Sequence, residues 1–277
     1  MRYASWVNPL MEQISKDRMK AFVTKFSSFY NRMCLSEDGA AASKWLEAQI
    51  QNSTTAQGIQ IESFPQQSII ARFPGADPAL ANQVVIVGSH IDTINIEDFP
   101  CGPSPGADDN ASGAAVTLEA FRILAASGFS PKRTIEFHWY ACEELLRLGA
   151  REIAHTYYKA RKNVIAMAQF DMTGHLSDKR QIAFVNDNVN PELTAFLRKA
   201  VDKYLSVSHT EYTCNYECSD HAAWTEYGYP SAFPFEDKIN PNIHKVNDTI
   251  DFVNFKNVKE FAKLANAYLV EIAEPSN

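Results

Sequence analysis

No stretch of this 277-residue sequence approaches the roughly 18 consecutive apolar residues that a membrane-spanning helix needs. Runs of Lys or Arg are missing as well, and the formal net charge is −7. That charge balance argues against nucleic acid as a partner. The first residues, "MRYASWVNPLMEQISKDRMKAF", lack the apolar core of a signal peptide. Two readings follow: a cytosolic protein, or a mature chain whose signal has been removed. Cysteine is scarce. Of the five, Cys214 and Cys218 lie close together, while Cys34, Cys101 and Cys142 are scattered. Linkers, internal repeats and low-complexity segments are absent, which argues for one domain over residues 1–277.

Apolar and aromatic material is plentiful. The chain is 45% hydrophobic, with 17 Phe, 11 Tyr and 4 Trp, enough for a sizeable core. Helical spacing of apolar residues marks residues 8–50, with Gly39 dividing "FVTKFSSFYNRM" from "AAASKWLEAQI". Extended runs follow at "SIIARF" and at Val84–Gly88, the latter β-branched and apolar on both faces, as a central strand is. The apolar-faced helix "ASGAAVTLEAFRILAASG" ends at Gly128. Strand and helix then alternate: "TIEFHWYA", residues 148–161, "VIAMAQFD", "QIAFVN", Pro191–Tyr204, "SAFPFE" and residues 256–272. This pattern predicts an α/β fold of three layers, α/β/α, around a mixed, mostly parallel central sheet.

In such sheets the working residues gather beyond the C-terminal ends of the strands. Here His90 and Asp92 follow one strand, Asp108 and Asp109 precede a helix, and Asp171 follows another strand. Glu143 and Glu144 close "WYACEEL", and His244 sits in "NPNIHKVNDT". Adjacent side chains on a strand point to opposite faces, so both glutamates serve one site only if the strand ends and the chain turns. Cys142 is read as the last regular strand residue. Each of these residues also has a plainer reading. A lone histidine after a strand is more often simply hydrogen-bonded, Asp109 suits a helix N-cap, and Asp171 suits a turn. Together they concentrate carboxylate that needs a compensating cation, and they offer the nitrogen and oxygen donors that zinc accepts.

The succession "GSHIDT … PGADDNASGAA … YACEE … QFDMTG … CNYECSDHAAW … FPFE … NIHKVNDTID" resembles the M28 metallopeptidases, and among them the secreted bacterial leucyl aminopeptidases with two zinc ions. The likeness runs from about Ser27 to the final helix and implies the fold of the zinc-dependent exopeptidases. It implies two Zn2+ per chain, with His90 a ligand of one and His244 of the other, Asp109 bridging, and Glu144 and Asp171 each completing the oxygen set at one of the two metals. Glu143 matches the general base, and Asp92 the carboxylate that orients the metal-bound imidazole. A cis peptide between Asp108 and Asp109 is a further family feature. Ser219-Asp220-His221 mimics a serine triad, but neighbours in sequence rarely face one another, so His221 is read as structural and Ser219 as a support behind the ligands.

The same resemblance implies a disulfide between Cys214 and Cys218, with Tyr216 beside the oxyanion. It places Met172, Val185, Phe233, Phe235 and Ile239 around an apolar pocket for the first residue of a peptide with a free N-terminus. A disulfide favours an oxidising, extracellular home, hence secretion after signal removal; the chain is expected to act as a monomer. The chain departs from the family at Cys142, where a small residue is usual, and at "LLRLGA", which replaces a glycine-bearing turn. Two other readings compete: a single-zinc glutaminyl cyclase-like transferase, and a binding protein on an inactive peptidase fold. Retention of both His90 and Asp171 favours two metals over one.

Overall fold

Short β-branched and aromatic runs build the sheet that organises the chain. In the computed structural model, which describes residues 1–54, 58–64, 67–175 and 177–276, the main sheet has six strands. They are β1 (Gln60–Ser63), β2 (Ile69–Phe73), β3 (Gln83–His90), β4 (Thr134–Tyr140), β5 (Asn163–Gln169) and β8 (Ser231–Ala232). The spatial order is β1-β2-β4-β3-β5-β8. Pairs β4/β3, β3/β5 and β5/β8 are parallel, and β2 pairs antiparallel with β1 and β4. A second sheet of three strands, β6 (Gln181–Val185), β7 (Ser208–Tyr212) and β9 (Pro234–Glu236), has the order β7-β6-β9.

Both faces of the main sheet are covered, as the apolar runs require. Every residue of β4 is buried. Ile135, Phe137 and Trp139 enter the larger core, which extends from Val7 to Ala273. That face carries α1 (Ala4–Glu12), α2 (Lys16–Phe26), α4 (Gly113–Ser127), α6 (Pro191–Tyr204) and α8 (Phe255–Ala273). On the opposite face, Val84, Ile86 and Tyr140 pack with Ile153 and Tyr157 of α5 (Leu148–Lys159) and Trp224 of α7 (His221–Glu226). The expected three-layer α/β/α arrangement is therefore the one the chain adopts. Glu136 gathers the polar residues buried on that second face. Glu136 accepts from Arg72 Nε at 2.7 Å and Tyr157 Oη at 2.7 Å, and lies 2.8 Å from His138 Nε2.

Local signals account for the helix boundaries. Asn190 Oδ1 accepts the Leu193 N–H ahead of α6, whose first residue is Pro191. Gly128 ends α4 at φ 70°. Gly39, however, does not divide two helices. Ser36 Oγ accepts the Gly39 N–H at 2.9 Å, so α3 (Glu37–Asn52) starts at Glu37 with the glycine inside its first turn. A serine cap outweighed the propensity of one glycine.

Helix α4 begins so close to the exit of β5 that only glycine fits at its start. A Cβ on Gly113 would lie 2.2 Å from the Phe170 carbonyl oxygen and 2.3 Å from Asn110 Oδ1. Gly113→Ala is expected to lose about 1–3 kcal/mol of stability through overpacking, measured by urea unfolding of the metal-free protein. An unchanged midpoint would show that α4 and β5 do not approach this tightly.

Candidate active site

Three parallel strands deliver polar residues to one edge of the sheet. β3 ends at His90 with Asp92 just beyond; β4 ends at Tyr140 ahead of Glu143; β5 ends at Gln169 ahead of Asp171. The strand carrying "WYACEEL" thus stops at Tyr140, earlier than Cys142, which already has φ 60°. Leu146 (φ 62°) and Arg147 (φ 59°) also take the left-handed conformation that glycine usually supplies. Backbone bonds hold the turn regardless. Arg147 N–H donates to Glu143 O at 2.7 Å, and Leu148 N–H to Cys142 O at 2.9 Å.

The two glutamates owe their direction to one carboxylate. Asp92 accepts the N–H of Glu143 on Oδ1 (2.9 Å) and of Glu144 on Oδ2 (3.1 Å). Its Oδ1 stands 3.6 Å from His90 Nδ1, beyond an ordinary hydrogen bond. Asp92 therefore stands beside the imidazole that it is expected to orient, and it orients the turn as well. Asp248 does the same for the other acidic pair, accepting from Asp108 N–H (3.1 Å) and Asp109 N–H (3.0 Å). The cis peptide falls at Asp109–Asn110, one bond later than the expected Asp108–Asp109. Asn110 Oδ1 receives the N–H of Gly113 at 2.9 Å, so the capping role open to Asp109 falls to its neighbour.

Both Asp109 oxygens face imidazoles. Oδ1 lies 3.1 Å from His90 Nε2, and Oδ2 lies 3.0 Å from His244 Nε2. Asp171 Oδ1 approaches His90 Nε2 at 3.2 Å, and Glu144 Oε2 approaches His244 Nε2 at 3.0 Å. The result is two donor clusters, His90–Asp109–Asp171 and Asp109–Glu144–His244, each with ligand atoms within 4.8 Å of one another. Asp109 belongs to both. Glu144 Oε1 is buried without a hydrogen-bond partner among the described residues. Mixed nitrogen and oxygen donors with a spare buried carboxylate oxygen fit zinc.

The electrostatics agree. Burial pushes Glu143 well above the usual carboxylate range, opposed by the charge of His90 and reinforced by Asp220, Glu144 and Asp171. Burial likewise lifts Glu144 to about 7. For His244, desolvation works downward, but its bonds to Asp109 and Glu144 carry it to about 11. His90 also rises well above its ordinary value, because Asp171 and Asp109 overcome its desolvation. Both imidazoles, when no metal is bound, supply the cations that this carboxylate array requires.

Other expected residues fall into place around this centre. Ser219 Oγ donates to Asp171 Oδ2 at 2.6 Å and is not directed at His221. His221 is buried against the Phe233 ring (4.9 Å between centroids), and desolvation drives its pKa to about 3. Met172, Val185, Phe233 and Phe235 form one apolar cluster, joined by Tyr212, Ile243, Cys214 and Cys218. Ile239 does not join it and is 42% exposed, because its loop turns outward before Asn240 anchors to Glu236. The Cys214–Cys218 disulfide is present. Asp187 braces it by accepting from Cys214 N–H (3.0 Å) and Asn215 N–H (2.6 Å). Tyr216 projects from that loop, 65% exposed; partial burial and the charges of Glu143 and Asp171 raise its hydroxyl pKa.

Sequence reading missed Asp248, Asp187, the buried Arg32 and a second disulfide, Cys34–Cys142. Only Asp248 left a trace, an acid shortly after His244 in "HKVND". A groove of about 820 Å³ lies between α2, α3 and α4, lined by Phe22, Trp45 and Arg122, with none of these polar residues in its wall.

The sequence matches "Peptidase family M28" over residues 68–269. The chain belongs to this family. It is 37% identical to leucine aminopeptidase 1 of Coccidioides posadasii (strain C735) over 99% of this chain and 75% of that one. Leucine aminopeptidase 1 of Neurospora crassa is also 37% identical, over 96% of this chain and 71% of that protein. Among solved structures, LapA aminopeptidase of Legionella pneumophila superposes with TM-score 0.90 at 29% identity, covering 100% of this chain and 76% of that one. This M28 chain is accordingly a hydrolase, an aminopeptidase acting on peptides. A glutaminyl cyclase of Bacteroides thetaiotaomicron shares the fold, with TM-score 0.74 at 14% identity.

For the metal-free M28 chain, the raised pKa values set a sign. Protonated His244 contributes stability that is full below its unfolded value near 6.5 and is lost as pH rises toward about 11. Glu144 acts in the same direction. Its ionisation, displaced from 4.5 to about 7, penalises the folded state as pH climbs through that window. Metal-free protein should therefore unfold at a lower temperature at pH 9 than at pH 6. His244→Gln should flatten that slope in a thermal scan, and zinc should raise the midpoint more at pH 9, since protons and metal compete for the same atoms.

Proposed function

We propose that this aminopeptidase works with two zinc ions, removing the N-terminal, preferably hydrophobic, residue of peptides. The observation that carries the reading is the shared Asp109, which gives each of its oxygens to a separate donor cluster. His90 and Asp171 would complete one site, and His244 and Glu144 the other. A zinc ion held at each site would supply Lewis acidity, acidifying water and polarising a peptide carbonyl.

Glu143 does the proton work. Its carboxyl is ligated by nothing in either cluster, and burial keeps its proton affinity high. In this role it takes a proton from the attacking water and returns it to the leaving amine nitrogen. Tyr216 can donate to the oxyanion, and the surrounding carboxylates attract the protonated α-amine of the substrate. That attraction confines cleavage to the first residue. Met172, Val185, Phe233 and Phe235 line the pocket for its side chain, while Ser219 steadies Asp171 and Asp92 steadies the glutamate turn.

Two disulfides support an oxidising, extracellular setting. The continuous core from Val7 to Ala273 supports one peptidase domain, which we take to act as a monomer. Among the described residues, no helix is long and apolar enough to cross a membrane. The cyclase alternative uses one zinc, and retention of the complete second cluster weighs against it. Metal content near one per chain, with cyclisation of N-terminal glutamine, would reverse that order.

Metal analysis should give two zinc ions per chain, and chelation should abolish release of amine from leucine anilides until zinc is restored. Glu143→Ala should keep both ions while kcat falls by about 10²–10⁴-fold. Glu144→Ala should instead lose one ion on dialysis; equal metal loss in both variants would sink this division of labour. Acylating the α-amine of the substrate should stop cleavage, and rapid hydrolysis of blocked peptides would make the enzyme an endopeptidase.

A further inference from the structure

We propose that the short segment from Arg32 to Cys34 is a positioning device that locks the carboxylate-bearing turns of the site together. The inference rests on the metal-site reading above. It begins with a guanidinium in an unusual place. Arg32 is 1% exposed, yet its fork donates to main-chain carbonyls: Ile91 O (2.9 Å), Phe26 O (3.1 Å), Pro105 O (2.5 Å) and Gly106 O (2.8 Å). A buried charge normally takes a carboxylate in contact. Here the negative charges stand further off, and Asp248, Asp92, Asp109 and Glu144 offset the desolvation that brings Arg32 down to about 10.

Three of the four carbonyls adjoin the turns of the site, and the fourth, Phe26 O, closes α2. Ile91 immediately precedes Asp92, and Pro105 and Gly106 lead directly into Asp108 and Asp109. Arg32 N–H also donates to Thr93 Oγ1 at 2.9 Å, and that hydroxyl donates to Ser104 O at 3.1 Å. One residue thus fixes the exit of β3 against the approach to Asp109.

Two residues further on, Cys34 is joined to Cys142, with Cα atoms 5.0 Å apart across 108 residues of sequence. Cys142 is fully buried and directly precedes Glu143 and Glu144. Its backbone is left-handed (φ 60°), so the turn starts at the bridged residue itself. The third turn is therefore tied covalently to the segment that clamps the first two. Asp92 completes the triangle by holding the Glu143 and Glu144 amides from the β3 side. Groups that bind a metal or move its proton must be held within fractions of an ångström, and residues behind them supply that constraint.

The test uses the full chain with Cys34 and Cys142 both changed to Ala, and separately Arg32→Lys. Wild-type enzyme, analysed for zinc, serves as the control for the underlying reading. Both variants should show kcat lowered tenfold or more with KM changed less than twofold. Competition with a chromophoric chelator should show zinc held 10–100-fold more weakly, the usual cost of losing a supporting partner. In the metal-free state, amides of residues 141–149 should exchange with deuterium faster than in wild type, while those of β3 and β5 stay unchanged. Unaltered kcat, chelator competition and exchange, with only a lower unfolding temperature, would reduce the segment to a general staple and overturn the proposal. Should the double-alanine chain fail to fold, Arg32→Lys and Thr93→Val decide by the same measurements. Wild type that binds no zinc would overturn the metal reading, and the metal-free exchange comparison would still judge the brace.

Discussion

Asp92 accepts the backbone N–H groups of Glu143 and Glu144 in succession, and Asp248 does so for Asp108 and Asp109. A carboxylate that spans two consecutive amides fixes a turn far more tightly than a single bond, and each charge-assisted bond is strong. It also removes those amides as partners for the paired acids' own side chains. The acidic side chains are thereby left to converge on one space. The cost is electrostatic. Every carboxylate that organises a turn adds negative charge to a region already holding Asp109, Glu144 and Asp171. Cations must balance it: Arg32 within the chain, together with protonated His90 and His244 in the metal-free state or a metal taken up in place of those protons.

The sheet decides where that charge gathers. With β3, β4 and β5 parallel, their C-terminal ends share one edge, and the polar residues that follow each strand share it too. Sequence was sufficient to locate this edge, because strands buried on both faces read as continuous apolar runs and the polar residues after them stand out. His90, Glu144 and Asp171 were legible by that logic; Asp109 and His244, which follow no strand of this sheet directly, were legible through the family pattern. Their supporting residues were not. Arg32 lies between helices with no periodic signal, and the pairing of Cys34 with Cys142 spans 108 residues without a spacing rule to suggest it. Asp187 looks like any loop aspartate until the Cys214–Asn215 amides are seen on it.

Boundaries failed where side-chain capping or turn geometry overrode a local preference. Gly39 breaks a helix by propensity, but Ser36 caps that helix and absorbs the penalty. Cys142 has the look of a strand residue after an aromatic run, yet the chain has already left the sheet. The "LLRLGA" turn closes through Leu146 and Arg147 in conformations that sequence statistics assign to glycine. The missing information was a local side-chain cap in the first case and the conformation of the backbone itself in the other two.

Phe233 sits between β8, which belongs to the six-stranded sheet, and β9, which belongs to the three-stranded one. The pocket cluster therefore straddles a seam. Met172 comes from the exit of the large sheet, whereas Val185, Tyr212 and Phe235 come from the small one. Of the residues proposed for chemistry, His90, Asp109, Glu143, Glu144 and Asp171 hang on the large sheet and the loops beside it, whereas His244 follows β9 and Tyr216 follows β7. Glu236 of β9 also anchors the Asn240 N–H, and the Asn240 side chain donates to Asp108. A change in the small sheet therefore acts on the apolar cluster and, through β9, on the donor geometry as well, so the two cannot be altered independently there.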